Sequence, residues 1–160
     1  MVNVGDKLPE MEVALATADG PDMQSLSTLF GSGKSVLFAV PGAFTPTCHM
    51  NHLPGFLTHL DAIKSKGVSR VACLSVNDPF VMKAWGEATG AMGKIDLIAD
   101  GSAAATQAMG QVLDLTERGL GVRSQRYAMI IEDGVVKDIA VEDSPATADA
   151  SGAEALMAKL

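Results

Sequence analysis

Two cysteines among 160 residues are too few for a disulfide-stapled scaffold. No run of 18 apolar residues occurs, so no segment reads as a membrane span. The first residues, Met1-Val2-Asn3-Val4-Gly5-Asp6-Lys7, lack a cationic stretch leading into an apolar one, so no secretory signal is expected there. Positive charge is scarce as well: 12 Lys and Arg against 19 Asp and Glu leave a net −7, the opposite of the basic face a nucleic-acid binder presents. What is present is core material, 48% apolar residues with 19% charged, far from the disordered class. The length suits one domain. The expectation is a single soluble, cytoplasmic domain over residues 1–160, with neither nucleic acid nor membrane as partner.

Ser35-Val36-Leu37-Phe38-Ala39-Val40 and Val71-Ala72-Cys73-Leu74-Ser75-Val76 are continuous apolar runs, the pattern of strands buried on both faces. Between them Leu53, Phe56, Leu57, Leu60 and Ile63 recur at helical spacing. Together these read as a βαβ unit with parallel strands and a right-handed crossover. Asp78 and Pro79 mark a helix start, and that helix should run to about Thr89 and stop at Gly90. Ile95–Ala99 reads as a third strand, followed by a helix over roughly 103–110. Tyr127–Ile131 and Val135–Ile139 flank Asp133-Gly134, a strong hairpin signal, so two antiparallel strands should close the sheet. Ser151-Gly152-Ala153-Glu154 fits a capping box for a last helix ending at Leu160. A mixed α/β sheet with helices on both faces and a C-terminal β-hairpin buries this pattern most simply.

The chemically informative segment is Pro41-Gly42-Ala43-Phe44-Thr45-Pro46-Thr47-Cys48. It leaves the C-terminal end of the first buried strand, where α/β sheets place their ligands, and enters the next helix. With Thr45 or Thr47 as cap, Cys48 falls in the first turn, where unpaired backbone N–H groups and the helix dipole favour an anion. Ionisation alone is not enough. A thiol with pKa near 8.5 is only about 3% ionised at pH 7, and lowering the pKa to roughly 6 gains ~30-fold in thiolate. Nucleophilicity falls about 13-fold over the same shift at a Brønsted slope of ~0.45, leaving about a twofold net gain. The site must also hold donors aimed at the charge that develops on the leaving group. Thr45 carries a hydroxyl three residues before Cys48, the Thr47 and Cys48 N–H groups lie at the helix start, and Arg126 can bring a permanent cation from the hairpin. Pro41 and Pro46 restrict the loop and reduce the ordering that substrate binding requires.

Pro41-x-x-x-Thr45-x-x-Cys48 resembles the active-site motif of the peroxiredoxins. The longer block through Cys48, followed by His52-Leu53-Pro54-Gly55-Phe56, is similar to the type II, peroxiredoxin-5-like branch. The likeness continues through Ala72–Asp78 and Phe80 and through Arg126-Tyr127-Ala128-Met129. The resemblance implies a thioredoxin-like fold and reduction of hydrogen peroxide or an alkyl hydroperoxide, with no bound cofactor. It implies that Cys48 is the peroxidatic nucleophile and becomes a sulfenic acid. Thr45 would orient the peroxide, Arg126 would stabilise thiolate and leaving oxygen, and Pro41 would shield the site from water. It further implies a homodimer, for which Phe80 and Trp85 are candidates as either core or interface residues.

Some type II relatives carry a resolving cysteine near the C-terminus, but residues 144–160 contain none. Cys73, about three residues inside its strand, should lie roughly 10 Å below the edge where Cys48 sits, whereas a disulfide needs Cα atoms within about 7 Å. Cys73 therefore reads as a core residue, and an external thiol, glutathione with glutaredoxin or else thioredoxin, as the reductant. A rival reading is a redox sensor or relay oxidised at the same cysteine without turnover. Arg123 fits a surface role or support of the site equally well. Cys48, His49, His52 and His59 raise a metal site, but Pro54-Gly55 should break the helical periodicity, and no further cysteine completes a tetrahedral set. The histidines read instead as capping, hydrogen-bonding or solvent-facing groups. Met50, Met82, Met109, Met129 and Met157 read as core filler.

Overall fold

A computed structural model describes residues 1–160. Its centre is a seven-stranded mixed sheet in the order β2-β1-β5-β4-β3-β8-β9. The two apolar runs become β3 (Lys34–Val40) and β4 (Val68–Ser75), paired in parallel, and β5 (Asp96–Ala99) lies parallel on the far side of β4. β8 (Tyr127–Glu132) and β9 (Val135–Val141) form the expected hairpin, antiparallel to β3. Asp133 and Gly134 both adopt positive φ, 49° and 79°, as a type I′ turn demands. At the opposite edge stands a second hairpin, β1 (Glu12–Thr17) and β2 (Gly20–Ser25). β2 carries no apolar run, reading Gly-Pro-Asp-Met-Gln-Ser, and β1 offers only the short Val13-Ala14-Leu15-Ala16. A separate ribbon, β6 (Val112–Leu115) with β7 (Gly121–Ser124), lies outside the main sheet.

Alternation along β3 sends side chains to two cores. Val36, Phe38 and Val40 pack with Leu53, Phe56, Ile63 and Trp85, from α2 (Leu53–Thr58), α3 (Leu60–Ser65) and α4 (Pro79–Thr89). Leu37 and Ala39 pack with Leu26, Leu29 and Phe30 of α1 (Leu26–Phe30) and with Ala105 of α5 (Ala104–Ala108). Helices therefore cover both faces. α4 is bounded as the sequence predicts: the Asp78 carboxylate accepts from the N–H groups of Phe80 and Val81, and Gly90 closes the helix in the left-handed region.

Three local expectations need correction. The chain does not break at Pro54-Gly55: it is helical from Pro46 to Thr58, carried across Pro54 by a π-helical turn over Cys48–His52. There the Leu53 N–H reaches back five residues to Cys48 O; Pro54 has no N–H to offer, and the break comes at His59. The last helix, α6 (Ala153–Met157), has Gly152 as its N-cap with no side-chain cap, and the Ser151 hydroxyl is buried without a partner, so no capping box forms. Met82, Met109 and Met129 are core residues, but Met50 is 70% exposed.

Candidate active site

The π turn places Cys48 and His52 against one buried group. Arg126, immediately before β8, is 2% exposed and points its guanidinium across to the helix. Nη2 donates to Cys48 Sγ at 2.9 Å, Nη1 donates to His52 Nδ1 at 3.0 Å, and Nε donates to Pro145 O at 3.1 Å. A guanidinium can only donate and a carbonyl can only accept. His52 must therefore present a bare Nδ1 to Arg126 and a protonated Nε2 to Ser151 O, 2.8 Å away. That is a neutral imidazole. Its pKa is lowered to about 3, chiefly by burial and further by the Arg126 charge, with the Ser151 hydrogen bond working the other way.

No carboxylate forms an ion pair with Arg126. A buried cation left without a counter-charge costs several kcal/mol. Cys48 is the only group touching this guanidinium that can carry a negative charge. The sulfur has no exposed surface. Beside it lies a pocket of about 280 Å³ lined by Pro41, Thr45, Pro46, Thr47 and Arg126, and across from these by Leu115, Arg118, Leu120, Pro145 and Ala146. The four residues singled out in the sequence, Pro41, Thr45, Cys48 and Arg126, thus converge.

Neither threonine caps the helix with its side chain. Thr45 Oγ1 donates to Gly42 O at 2.6 Å, and Thr47 Oγ1 donates to Ala146 O at 3.1 Å. With its proton engaged, the Thr45 hydroxyl can act toward the pocket it lines only as an acceptor. No backbone carbonyl accepts from the N–H of Thr47 or Cys48, which leaves both as donors. The loop is fixed from behind: Asn77 Oδ1 accepts from Ala43 N at 3.0 Å, and Arg123 Nη1 donates to Pro41 O at 3.3 Å. Arg123 therefore supports the site. Gly42 makes room for it, because a Cβ there would stand 2.7 Å from Arg123 Nη1.

Each histidine has other work than metal binding. His49 Nδ1 accepts from Trp85 Nε1 at 3.0 Å, and His59 lies 3.7 Å from Glu154. Trp85 is core, whereas Phe80 is 70% exposed. Cys73 is a free, buried thiol in the same core cluster as Cys48, two residues before the end of β4. Burial pushes its pKa well up and the nearby Cys48 adds to this, against a smaller opposing effect of Arg126. It is a poor nucleophile. Asn77, His52, Pro145 and Ser151 were not assigned to the site from sequence. His52 carries two signals, its spacing of four residues from Cys48 and its place in the block that resembles the type II branch, and the two carbonyls carry none.

The chain is similar to known proteins along nearly its whole length. Residues 3–157 match the family described as Redoxin. The chloroplastic peroxiredoxin-2E-2 of Oryza sativa subsp. japonica is 46% identical, over 98% of this chain and 72% of its own length. Peroxiredoxin-2E of Arabidopsis thaliana, also chloroplastic, is 42% identical over 98% and 69%. The crystal structure of reduced Prx3 from Vibrio vulnificus in complex with H2O2 superposes with a TM-score of 0.93 at 47% identity, covering 99% of both chains. The chain belongs to the peroxiredoxin family, with its thioredoxin-like fold and thiol peroxidase activity.

Proposed function

We propose that Cys48 reduces hydrogen peroxide and alkyl hydroperoxides by a one-cysteine cycle. The observation that carries this is the Arg126 guanidinium, buried, free of carboxylates and 2.9 Å from Cys48 Sγ. The thiolate attacks one peroxide oxygen: an S–O bond forms as the O–O bond breaks, and the sulfur is oxidised to a sulfenic acid. The leaving oxygen takes a proton and departs as water or an alcohol. Thr45 accepts from the hydroperoxide O–H, while Arg126 and the N–H groups of Thr47 and Cys48 face the charge that grows on the departing oxygen. Pro41 walls the site from water. Peroxide enters through the pocket, and because the sulfur is covered, the wall yields by side-chain movement as it arrives. Hydrogen peroxide is neutral, so a net −7 does not oppose it.

An outside thiol then attacks the sulfenic sulfur and releases water, and a second thiol reduces the resulting mixed disulfide. The position of Cys73 inside β4 and its raised pKa support an external reductant, glutathione with glutaredoxin or else thioredoxin, in the reducing cytoplasm. Exposed Phe44, Met50 and Phe80 support a homodimer, which sedimentation equilibrium tests. The cycle itself is tested by following peroxide consumption with glutathione and glutaredoxin, and in parallel with thioredoxin and its reductase. The wild-type chain turns over and Cys48→Ser does not. Equal consumption by Cys48→Ser overturns the assignment, and a single oxidation per chain with every reductant replaces the enzyme with a sensor.

A further inference from the structure

Glu142 is a buried acid, 7% exposed, that the reaction above does not use. It stands where the chain leaves β9. Its N–H donates to Arg126 O at 2.9 Å, continuing the β8–β9 ladder one step past the Tyr127–Val141 pair. Its carboxylate turns into the segment that follows and gathers that segment's backbone. Oε1 accepts from the N–H groups of Asp149, at 2.6 Å, and Ala150, at 2.9 Å, and Oε2 lies 3.4 Å from the N–H of Ser151.

That segment holds both carbonyls that orient the cation at the sulfur. Pro145 O takes Arg126 Nε, and Ser151 O takes His52 Nε2–H, which fixes the tautomer whose Nδ1 receives Arg126 Nη1. The segment has little other regular structure: residues 142–152 contain no helix or strand. A carboxylate accepting two or three N–H groups is a strong local clamp. No other side chain accepts from the backbone N–H groups of residues 149–151.

We propose that Glu142 is a positioning residue for the peroxidase reaction, holding the 142–152 segment so that Pro145 O and Ser151 O aim Arg126 at Cys48. It touches neither sulfur nor peroxide and acts through Arg126 and His52. The inference rests on the reading of Cys48 as the peroxide-reacting group.

The test compares two rates for reduced protein: oxidation of Cys48 by hydrogen peroxide and its alkylation by iodoacetamide. The alkylation has no oxygen leaving group for Arg126 to stabilise. A misplacement near 1 Å costs up to ~100-fold, so Glu142→Ala is expected to slow the peroxide reaction by roughly 10- to 100-fold and to slow alkylation by no more than about twofold. Glu142→Gln keeps an oxygen for the Asp149 and Ala150 N–H groups and is expected to restore the peroxide rate to within about threefold. In an Arg126→Gln background Glu142→Ala is expected to add less than about twofold, since the group it positions is gone. If Glu142→Ala fails to fold, Glu142→Asp, one methylene short, gives the same contrast. A wild-type peroxide rate in the folded Ala or Asp variant, equal slowing of both reactions, or full additivity with Arg126→Gln overturns the proposal. A wild-type chain whose Cys48 does not react with peroxide overturns the peroxidase reading instead.

Discussion

Arg126 Nη2 donates to Cys48 Sγ at 2.9 Å in a setting where the guanidinium is buried and has no carboxylate partner. In the proposed reaction the pairing serves both ends. It would set a positive charge beside the sulfur before attack and lie within reach of the oxygen that leaves. Lowering a thiol pKa gains only about twofold at neutral pH, so the proposed role of Arg126 lies mainly after attack begins. Arg126→Gln should therefore slow the peroxide step by roughly 100- to 1,000-fold, the usual cost of one preorganised donor. The deficit should persist at a pH where the thiol is fully ionised in both proteins, as measured by stopped-flow oxidation. Recovery at high pH would mean that Arg126 acts on ionisation only.

His52 ties stability to pH. Its pKa is about 3 in the folded chain against 6.5 for an ordinary histidine, so the unfolded chain binds the proton first. The stability it confers is complete above pH 6.5 and is lost as the pH falls toward 3. Between pH 7 and pH 5 the loss amounts to about 2 kcal/mol. Urea titrations at the two pH values should show wild type losing about that much more than His52→Gln, which cannot titrate. Equal losses would place a charged or exposed imidazole at this position.

Cys73 tests the one-cysteine cycle. Cys73→Ala should leave turnover with an external thiol within about twofold of wild type, apart from a stability cost of about 1–2 kcal/mol for the lost sulfur in a packed core. Arrest of the cycle after a single oxidation, with the fold intact by circular dichroism, would make Cys73 the resolving thiol.

Trp85 is the chain's single tryptophan, and its Nε1–H donates to His49, the residue after Cys48. Oxidation of Cys48 should therefore change its fluorescence on addition of peroxide, and Cys48→Ser should abolish the change. A signal that survives in Cys48→Ser would trace to methionine oxidation rather than to the active site.

Much of this architecture is legible in the sequence, for identifiable reasons. β3 and β4 are buried on both faces and declare themselves as continuous apolar runs, while the β8–β9 turn and the ends of α4 carry their own chemistry in Asp133-Gly134, Asp78-Pro79 and Gly90. In the β1–β2 hairpin the edge strand β2 is solvated and polar and the apolar run of β1 is only four residues long, so the signal is weak. The π turn has no side-chain signature; Pro54, which normally ends a helix, hides it. Pro41, Thr45 and Cys48 sit together in one short motif, but the groups that aim Arg126 are a histidine with several ordinary uses and two backbone carbonyls. Carbonyls have no sequence identity, and only the path of residues 142–152 brings one to Arg126 and the other to His52.

The most direct measurement is mass spectrometry of the reduced chain after one equivalent of hydrogen peroxide, with and without glutathione. One added oxygen on Cys48, replaced by a glutathione adduct on the same residue while Cys73 stays a thiol, is the predicted result. A Cys48 that remains reduced while the peroxide is consumed elsewhere, or a Cys48–Cys73 bond as the main product, would contradict it.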